Sequence, residues 1–467
     1  FYENLWRHIQ QNNLHDIKIR QALFMAPHEI CVGDALKTKG PLDALEKKLP
    51  QKLRSPLQKT NTTLKKLRGL RTLIEHYREL ERRRIMFTTP FIGGALNIPI
   101  PENTLVRRLF PSFAGRNTTR TAVTDMQPLH FPDAFDTISV DDDGGTDFDT
   151  FVMVMTPPNE AGLMSHGPAN AVNGEVLDLL QRDHHATLLL YLNSSYPFTT
   201  GIPQAPNTVH VDKLKGIADE NRLIVVEDDG PIPTAPQGNF VNPGPKERKI
   251  AEHVVNHIET NKNTTLGRAL QVGIGRTGVQ ATRLLKDSSW YGKMYSEMLE
   301  PFTLELFEKG KISGSHFIER DGTRTELPGR LTCTFTLAEQ GSDFYQRLHN
   351  NKAILLAPAS QVVIPEGFFG GLGINNCLGI DFQGHVNAGG RDRNHHSGMG
   401  GHAMICRGLG NGGISYLCMK STHRTPDGDL RSSIFPYLPQ GTPISLVGPD
   451  IMRSEEHTSE LQSLLII

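Results

Sequence analysis

The sequence predicts an α/β protein with parallel β-sheet and more than one domain. From about residue 148 onward, short apolar runs alternate with amphipathic helical patterns. Strands and helices that alternate along a chain form parallel sheets with right-handed crossovers. The 44 Gly and 30 Pro residues are typical of a loop-rich α/β enzyme rather than of a helical bundle. Because 467 residues exceed what one hydrophobic core usually supports, two or three domains are expected.

Charge and cysteine content exclude several classes of protein. The chain has 49 Lys and Arg residues against 50 Asp and Glu residues, which argues against a nucleic-acid-binding protein. No apolar run is long enough to span a membrane. The cysteines are odd in number and form no Cys-x-x-Cys pair, which favours unpaired thiols in a reducing, cytoplasmic compartment. They are Cys31, Cys333, Cys377, Cys406 and Cys418.

Both ends of the sequence have unusual features. The chain starts with Phe1 rather than methionine, so we expect a fragment without its targeting information. Residues 453–467 resemble the in-frame translation of a sequencing adapter, and we expect a non-native tail there. The alternative is a short amphipathic tail helix.

The first part of the chain contains two predicted helices, at residues 2–11 and 62–84. The second has apolar residues at helical spacing and a face rich in Lys and Arg. This face is either simply solvated or attracts an anionic ligand. A strand is predicted at residues 85–88.

The middle of the chain predicts a βαβ unit. Strands are expected at residues 148–155 and 186–192, with a helix at 171–181 between them. Residues 230–245 are rich in Pro and Gly, which predicts an interdomain linker or a surface crossover.

The second half begins with a predicted helix at residues 246–259. Its apolar residues Ile250, Val254, Val255 and Ile258 fall on one face. Four strands are predicted after it, at residues 270–272, 330–335, 353–356 and 361–364.

A glycine loop, residues 273–278, lies between the strand at 270–272 and a predicted helix at 279–286. Glycines allow a tight turn and close approach to a ligand, and a helix N-terminus presents free N–H groups to an anion. One interpretation is a dinucleotide site, but Asp287 and Glu297 do not stand where its acidic residue belongs. A second is a purely structural turn. The third is a loop that holds a phosphate-bearing ligand while Glu297 carries out covalent chemistry.

A second glycine loop contains Ser397, Gly398, Met399, Gly400 and Gly401. Several N–H groups that converge on one point suit an oxyanion or a phosphate. The alternative is a glycine turn that binds nothing. Three nearby histidines are expected to be polar loop residues rather than metal ligands, because zinc requires three or four ligands at defined spacing. They are His395, His396 and His402.

These motifs, in this order, resemble the acetyl-CoA hydrolase/transferase family of CoA-transferases. Gly273-Ile274-Gly275 followed by Ser296-Glu297-Met298 is similar to the family's Gly-x-Gly loop and Glu-Met pair. Further segments resemble the family between residues 136 and 450. They lie at 154–162, 193–201, 373–387, 397–401 and 419–438.

The resemblance implies a fold of two similar open-sheet domains, residues 1–230 and 246–452, packed around an active site between them. It implies that Glu297 is the catalytic nucleophile and that Ser397, Gly398, Gly400 and Gly401 form an oxyanion and CoA-binding loop. The remaining CoA-binding residues would be Gly273, Ile274, Gly275, Arg276, Thr277 and Arg424.

The implied substrates are an acyl-CoA and a carboxylic acid, with coenzyme A as a substrate, no other cofactor and no metal. A homodimer is possible. The implied activity is CoA transfer, and the alternatives are acetyl-CoA hydrolysis and an inactive CoA-binding relative. Three departures from the family pattern bear on substrate choice and activity. Glu300-Pro301 replaces Asp-Gly, His402 replaces Gln or Ser, and the Thr-Glu-Tyr-Gly segment expected after Asp450 is absent.

Overall fold

The protein is represented by a computed structural model, which describes eleven stretches of the chain. They are residues 2–20, 69, 71–89, 124–127, 129–232, 234, 243–391, 394–395, 397–424, 429–447 and 464–466. The chain divides into two compact units. The first unit comprises Phe1–Pro128 and Arg391–Gly398, and the second comprises Leu129–Gly390 and Met399–Ile467.

The described part of the first unit contains two helices and a three-stranded parallel sheet. Helix α1 spans Tyr2–Gln11, and residues 71–83 form the second helix. The sheet has the order β1-β2-β3, with strands Lys18–Arg20, Met86–Thr89 and Thr124–Met126. The helix predicted at residues 2–11 is therefore confirmed. The one predicted at 62–84 is confirmed from residue 71, and most of its earlier part lies outside the described residues.

The second unit contains ten described α-helices, most of them short. They are α2 (Ala134–Ser139), α3 (Asn173–Arg182), α4 (Lys215–Asp219), α5 (Pro245–Thr260), α6 (Lys262–Thr265), α7 (Arg276–Leu285), α8 (Pro301–Glu308), α9 (Phe344–Leu348), α10 (Ala359–Val362) and α11 (His402–Leu409). Three 3₁₀ helices span Phe131–Asp133, Val211–Leu214 and Pro365–Phe368.

Two open parallel sheets dominate the described part of this unit. One has the order β4-β6-β8, formed by Thr150–Met155, Thr187–Asn193 and Leu223–Asp228. The other has the order β10-β9-β17-β22-β26, formed by Lys293–Met294, Ala269–Val272, Leu372–Asn376, Ile414–Cys418 and Leu464–Ile466. The predicted α/β class is thus confirmed.

Smaller pairs of strands complete the described part of the fold. They are β5 (Leu163–Ser165) with β7 (Thr208–His210), β11 (Met298–Leu299) with β15 (Phe335–Thr336), β12 (Gly314–Ile318) with β13 (Arg324–Pro328), β14 (Leu331–Cys333) with β16 (Ile354–Leu356), and β23 (Thr422–Arg424) with β24 (Leu430–Ser432). A small sheet joins β18 (Gly379–Asp381), β19 (Val386–Asn387) and β25 (Ile434–Phe435), and β20 (Gly390–Arg391) and β21 (Asn394–His395) are two-residue strands.

The five-stranded sheet is covered by α5 and α7, whose apolar faces form one buried core with it. Helix α5 begins with Pro245 at its first position, where the missing N–H costs no hydrogen bond. Its residues Ile250, Val254 and Ile258 are buried at four-residue spacing. The helix predicted at 246–259 is therefore confirmed, as are the strands predicted at 270–272 and 353–356.

One predicted strand, at residues 361–364, is wrong. Residues Ala359–Val362 form the helical turn α10, in which the Val362 and Val363 amides donate to carbonyls four residues earlier. Both valines are fully buried in one cluster with Tyr295 and Phe368. A helical turn can bury two consecutive apolar residues on one side, which an alternating strand cannot do.

The predicted linker at residues 230–245 falls mostly outside the described residues, and the domain boundaries placed around it stay a prediction. Of the predicted tail at 453–467, only Leu464–Ile466 is described, as strand β26 beside β22. Within the described residues, no helix combines the length and the apolar character that a membrane span requires.

Candidate active site

Glu297 lies between two short strands at the edge of the five-stranded sheet. Strand β10 precedes it and pairs with β9 in parallel, and β11 follows it and pairs with β15. The hydroxyl of Ser296 lies 3.3 Å from the amide nitrogen of Val272, which donates to it. Val272 is the last residue of β9, directly before Gly273. This contact therefore places Glu297 next to the first glycine loop.

The Glu297 carboxylate accepts a hydrogen bond from a backbone amide of the second glycine loop. Gly401 N lies 3.0 Å from Glu297 Oε1. Gly401 immediately precedes α11, so the carboxylate faces the N-terminus of that helix, where a negative charge is favoured. A methyl group at Gly401 would lie 2.3 Å from Val363 Cγ1 and 3.3 Å from Glu297 Oε1. Glycine is therefore required for this close approach.

Gly400 lies on the same side of Glu297 and has a backbone that favours glycine. Its φ angle is +55°, and a Cβ atom there would lie 3.7 Å from Glu297 Oε1. Its carbonyl accepts a hydrogen bond from the Phe131 amide at 2.9 Å, which fixes the loop from the other side.

Burial changes the acidity of Glu297. Removal from water raises the pKa of its carboxyl to about 7, and the hydrogen bond from Gly401 opposes this rise. The group therefore titrates near neutral pH, where it can be present both as a nucleophilic carboxylate and as an acid.

The first glycine loop is held between the ends of two parallel strands, β9 and β17. Gly275 has a φ angle of +139° and precedes α7, which begins at Arg276, three residues earlier than predicted. A Cβ atom at Gly275 would lie 2.5 Å from Asn376 Nδ2, and that same nitrogen donates to the Ile274 carbonyl at 3.0 Å. Arg276 is exposed and Thr277 is buried.

Sequence reasoning missed three amide side chains that support this loop. Gln271 and Asn375 are buried on adjacent strands and exchange two hydrogen bonds, of 3.2 and 3.0 Å. Asn376 is the third. All three stand at the carboxyl ends of β9 and β17, so their positions could have been found only from the strand pairing.

The other predicted site residues are placed as follows. Ser397 and Gly398 belong to the first unit and the remaining predicted residues belong to the second. Arg424 is the exposed last residue of strand β23, whose other two residues are half-buried. Lys420, a neighbouring basic residue, forms an ion pair with Glu247, with 2.6 Å between Nζ and Oε1. Arg276 also exerts an electrostatic effect on the Glu247 carboxylate.

His402 is buried at the start of α11. Its Nδ1 lies 3.2 Å from the Ser445 hydroxyl, which itself donates to the Val386 carbonyl at 3.0 Å. Burial lowers the pKa of His402 to about 4, so the ring is neutral. Among the residues that the structure describes, no three His, Cys, Asp or Glu side chains are grouped to hold a metal ion.

The chain is similar in sequence to known proteins. A family model described as the acetyl-CoA hydrolase/transferase C-terminal domain matches residues 341–452, which include the second glycine loop. A butyryl-CoA:acetate CoA-transferase from Anaerostipes caccae is 24% identical over 304 residues, which cover 63% of this chain and 60% of that protein. A 4-hydroxybutyrate coenzyme A transferase from Clostridium kluyveri is 27% identical over 184 residues, covering 38% of this chain and 39% of that protein. The matches thus span less than two thirds of either curated relative.

The fold also resembles a solved structure over nearly its whole length. RipA from Yersinia pestis superposes with a TM-score of 0.61 at 19% identity, covering 97% of this chain and 89% of that one. At this identity the likeness shows the fold alone.

Proposed function

Because this chain belongs to the acetyl-CoA hydrolase/transferase family, we propose that it transfers coenzyme A between an acyl-CoA and a carboxylic acid through Glu297. The observation that carries the proposal is the hydrogen bond of 3.0 Å between Gly401 N and Glu297 Oε1. It joins a carboxylate with a pKa near 7 to a fixed backbone donor in a partly buried site. The short-chain acyl groups named for the relatives suggest acetyl-CoA or butyryl-CoA as the first substrates to test.

In the first step, Glu297 Oε2 attacks the thioester carbonyl carbon of the acyl-CoA. The C–S bond breaks, which leaves a mixed anhydride of Glu297 with the acyl group and releases CoA thiolate. The thiolate then attacks the glutamyl carbonyl carbon. The acid departs as a carboxylate and a glutamyl–CoA thioester remains. A second carboxylate takes up CoA by the reverse of these steps.

Gly401 would assist the step in which the thiolate attacks the glutamyl carbonyl. Glu297 Oε1 becomes the carbonyl oxygen of the anhydride and carries the negative charge of the tetrahedral intermediate. Since Gly401 N already lies 3.0 Å from this oxygen, the donor is in place before the charge develops. One such donor contributes about 3 kcal/mol in enzymes where it was removed.

The first glycine loop, residues 273–277, would hold part of the CoA molecule next to Glu297. The contact between Ser296 and Val272 supports this assignment, because it ties the residue before Glu297 to the residue before Gly273. The loop also ends at the N-terminus of α7, where free N–H groups favour a phosphate. Arg424 and the exposed Arg276 would add positive charge.

Acceptor dependence tests this function. The protein is incubated with butyryl-CoA, with and without acetate, and both acetyl-CoA and free thiol are measured. Transfer predicts that acetyl-CoA appears only with acetate and that little thiol is released. Steady thiol release without an acceptor would indicate a hydrolase. If folded protein binds CoA but forms neither product, the proposal is wrong and the chain is a non-catalytic relative.

A further inference from the structure

The backbone beside Glu297 carries a second polar side chain on the same face. In the parallel pairing of β11 with β15, Met298 stands opposite Phe335. This register places Thr334 opposite Glu297, and the amides of Thr334 and Phe335 donate to the Glu297 carbonyl at 3.0 and 3.3 Å. Residues opposite each other in paired strands share a face of the sheet. The Thr334 hydroxyl therefore lies on the side of the Glu297 carboxylate.

A third polar residue, Asn170, lies beside Thr334, so that Glu297, Thr334 and Asn170 form a row across neighbouring segments. Its amide donates to the Thr334 carbonyl at 3.0 Å, and its neighbour Ala169 pairs with Phe335 in antiparallel orientation. Adjacent segments in such pairing lie about 5 Å apart. Glu297, Thr334 and Asn170 thus stand side by side on three neighbouring segments of the second unit.

Two polar side-chain atoms in this row are buried and have no hydrogen-bond partner among the described residues. Asn170 has 1% and Thr334 has 0% of its surface exposed. Asn170 Nδ2 and Thr334 Oγ1 have no hydrogen-bond partner within the described stretches of the chain. The other end of the Asn170 amide is occupied, because Oδ1 accepts from the Gly174 amide at 3.2 Å at the start of α3. This contact orients the side chain so that the unused atom is the NH₂ donor.

A buried donor without a partner destabilises a protein by about 1–3 kcal/mol. Two such groups next to a reactive carboxylate indicate a site that is completed by a ligand. Both can donate a hydrogen bond, so the ligand must present an acceptor oxygen.

We propose that Asn170 and Thr334 bind the carboxylate substrate beside Glu297, an inference that rests on the proposed CoA transfer. Asn170 Nδ2 and Thr334 Oγ1 donate to the oxygen of the acid that does not attack the glutamyl thioester. The same contacts hold the carbonyl oxygen of the acyl group in the other half of the reaction. These residues therefore orient the acyl group with respect to Glu297.

The test replaces Thr334 by valine, which has the same shape without the hydroxyl. In butyryl-CoA:acetate exchange, Thr334→Val is expected to raise the KM for acetate about tenfold, as the loss of one hydrogen bond to a charged group predicts. The KM for butyryl-CoA should change less, because the CoA part supplies most of its binding. The unfolding temperature should stay the same or rise, since the replaced hydroxyl has no partner in the protein.

Thr336→Val is the matched control, two residues further along the same segment. The Thr336 hydroxyl donates to the Pro168 carbonyl at 2.9 Å, so its loss should lower the unfolding temperature and leave the KM for acetate unchanged. A second test variant, Asn170→Asp, keeps the oxygen that caps α3 and replaces the NH₂ donor by an acceptor. It should weaken acetate binding even more than Thr334→Val does.

A binding measurement separates this inference from the proposed function. In the Glu297→Gln background, which cannot react, butyrate should raise the unfolding temperature, and Thr334→Val should abolish this rise. If the wild-type protein transfers no CoA but butyrate stabilises it through Thr334, the site stands and the proposed function fails. If transfer occurs but Thr334→Val leaves the KM for acetate and the butyrate effect unchanged, the inference is overturned and the function stands. Absence of any butyrate effect in the Glu297→Gln background would also overturn it.

Discussion

Two effects act in opposite directions on the pKa of the Glu297 carboxyl. Burial raises the pKa of its carboxyl to about 7, and the Gly401 amide stabilises the ionised form. A carboxylate with a raised pKa is a better nucleophile than an ordinary one, but only when it is ionised. The balance between burial and the Gly401 donor therefore sets the pH range in which the carboxyl is ionised.

The first prediction concerns the pH dependence of the reaction. Because the attacking form in the proposed mechanism is the carboxylate, kcat/KM for the acyl-CoA should rise with pH and level off above about pH 7. The measurement is a pH–rate profile with butyryl-CoA and acetate. A profile that is flat through this range would contradict the raised pKa.

Glu300→Gln provides the control for this profile. Burial raises the pKa of Glu300 to about 8, but its Oε2 serves to cap α8 by accepting from the Phe302 amide at 2.8 Å. The glutamine oxygen can make the same cap. The variant should therefore keep the kinetic pKa, and a shift of the rate profile would assign that pKa to Glu300 instead.

The second prediction concerns stability. The pKa of Glu297 rises from 4.5 when unfolded to about 7 when folded, so folding is favoured most below pH 4.5, where both states hold the proton. As pH rises toward 7 the unfolded chain loses its proton first, and the folded state loses up to about 3 kcal/mol of relative stability. Glu297→Gln should remove this loss. Denaturant unfolding should show the variant as the more stable protein at pH 8 and as equal at pH 4, and equal stabilities at both would contradict the prediction.

At the scale of elements, the site depends on how closely α11 approaches the segment that carries Glu297. Gly401 is the point of contact, because any side chain there meets Val363 and the carboxylate. The glycine loop before the helix could be recognised in the sequence, but helix α11 itself was not predicted. The contact with Val363 could not be inferred either, since it arises from the unexpected helical turn α10.

The third prediction follows from this contact. Gly401→Ala should move the amide away from Glu297 and lower kcat on the order of 10²-fold, the effect of losing one oxyanion donor. It should also destabilise the protein by about 1–3 kcal/mol through the clash with Val363. Kinetics and thermal unfolding measure the two effects.

Gly216→Ala is the control, because a methyl group at this α4 residue meets no atom within 4 Å. It should leave both kcat and stability close to those of the wild type. Adding Val363→Ala to Gly401→Ala should recover part of the lost stability, and no recovery would show that the clash is not the cause.

Elements with a clear periodic pattern could be predicted from the sequence. Helix α5 and strand β9 bury regularly spaced apolar residues, and both stand where the pattern places them. Strand β10 was not predicted, because two residues carry no detectable period and the strand is fixed by pairing with β9. The same pairing brings the segment before Glu297 beside the end of β9.

For the whole molecule, the site is assembled from segments that are distant in sequence. Glu297 and Gly401 are 104 residues apart, and so are Gln271 and Asn375. Glu297 and both glycine loops were singled out from their motifs, and their role in a site stays a prediction. The row of Thr334 and Asn170 could not be found in this way, since Thr and Asn are common and only the strand register places them next to Glu297.

The charge of the whole chain is nearly balanced, with a net charge of −1, so attraction of the proposed anionic substrates must come from local groups. Lys420 is paired with Glu247, whereas the exposed Arg276 is one such group in the second unit. Its position could not be derived from the composition.

The most direct test of the central claim is to trap the covalent intermediate on Glu297. The protein is incubated with butyryl-CoA without an acceptor, reduced with borohydride and digested, and the peptide that contains Glu297 is analysed by mass spectrometry. A glutamyl–CoA thioester predicts that this side chain is converted to an alcohol, and that acetate added before the reductant prevents the conversion. An unmodified Glu297 in folded protein that binds butyryl-CoA would contradict the account.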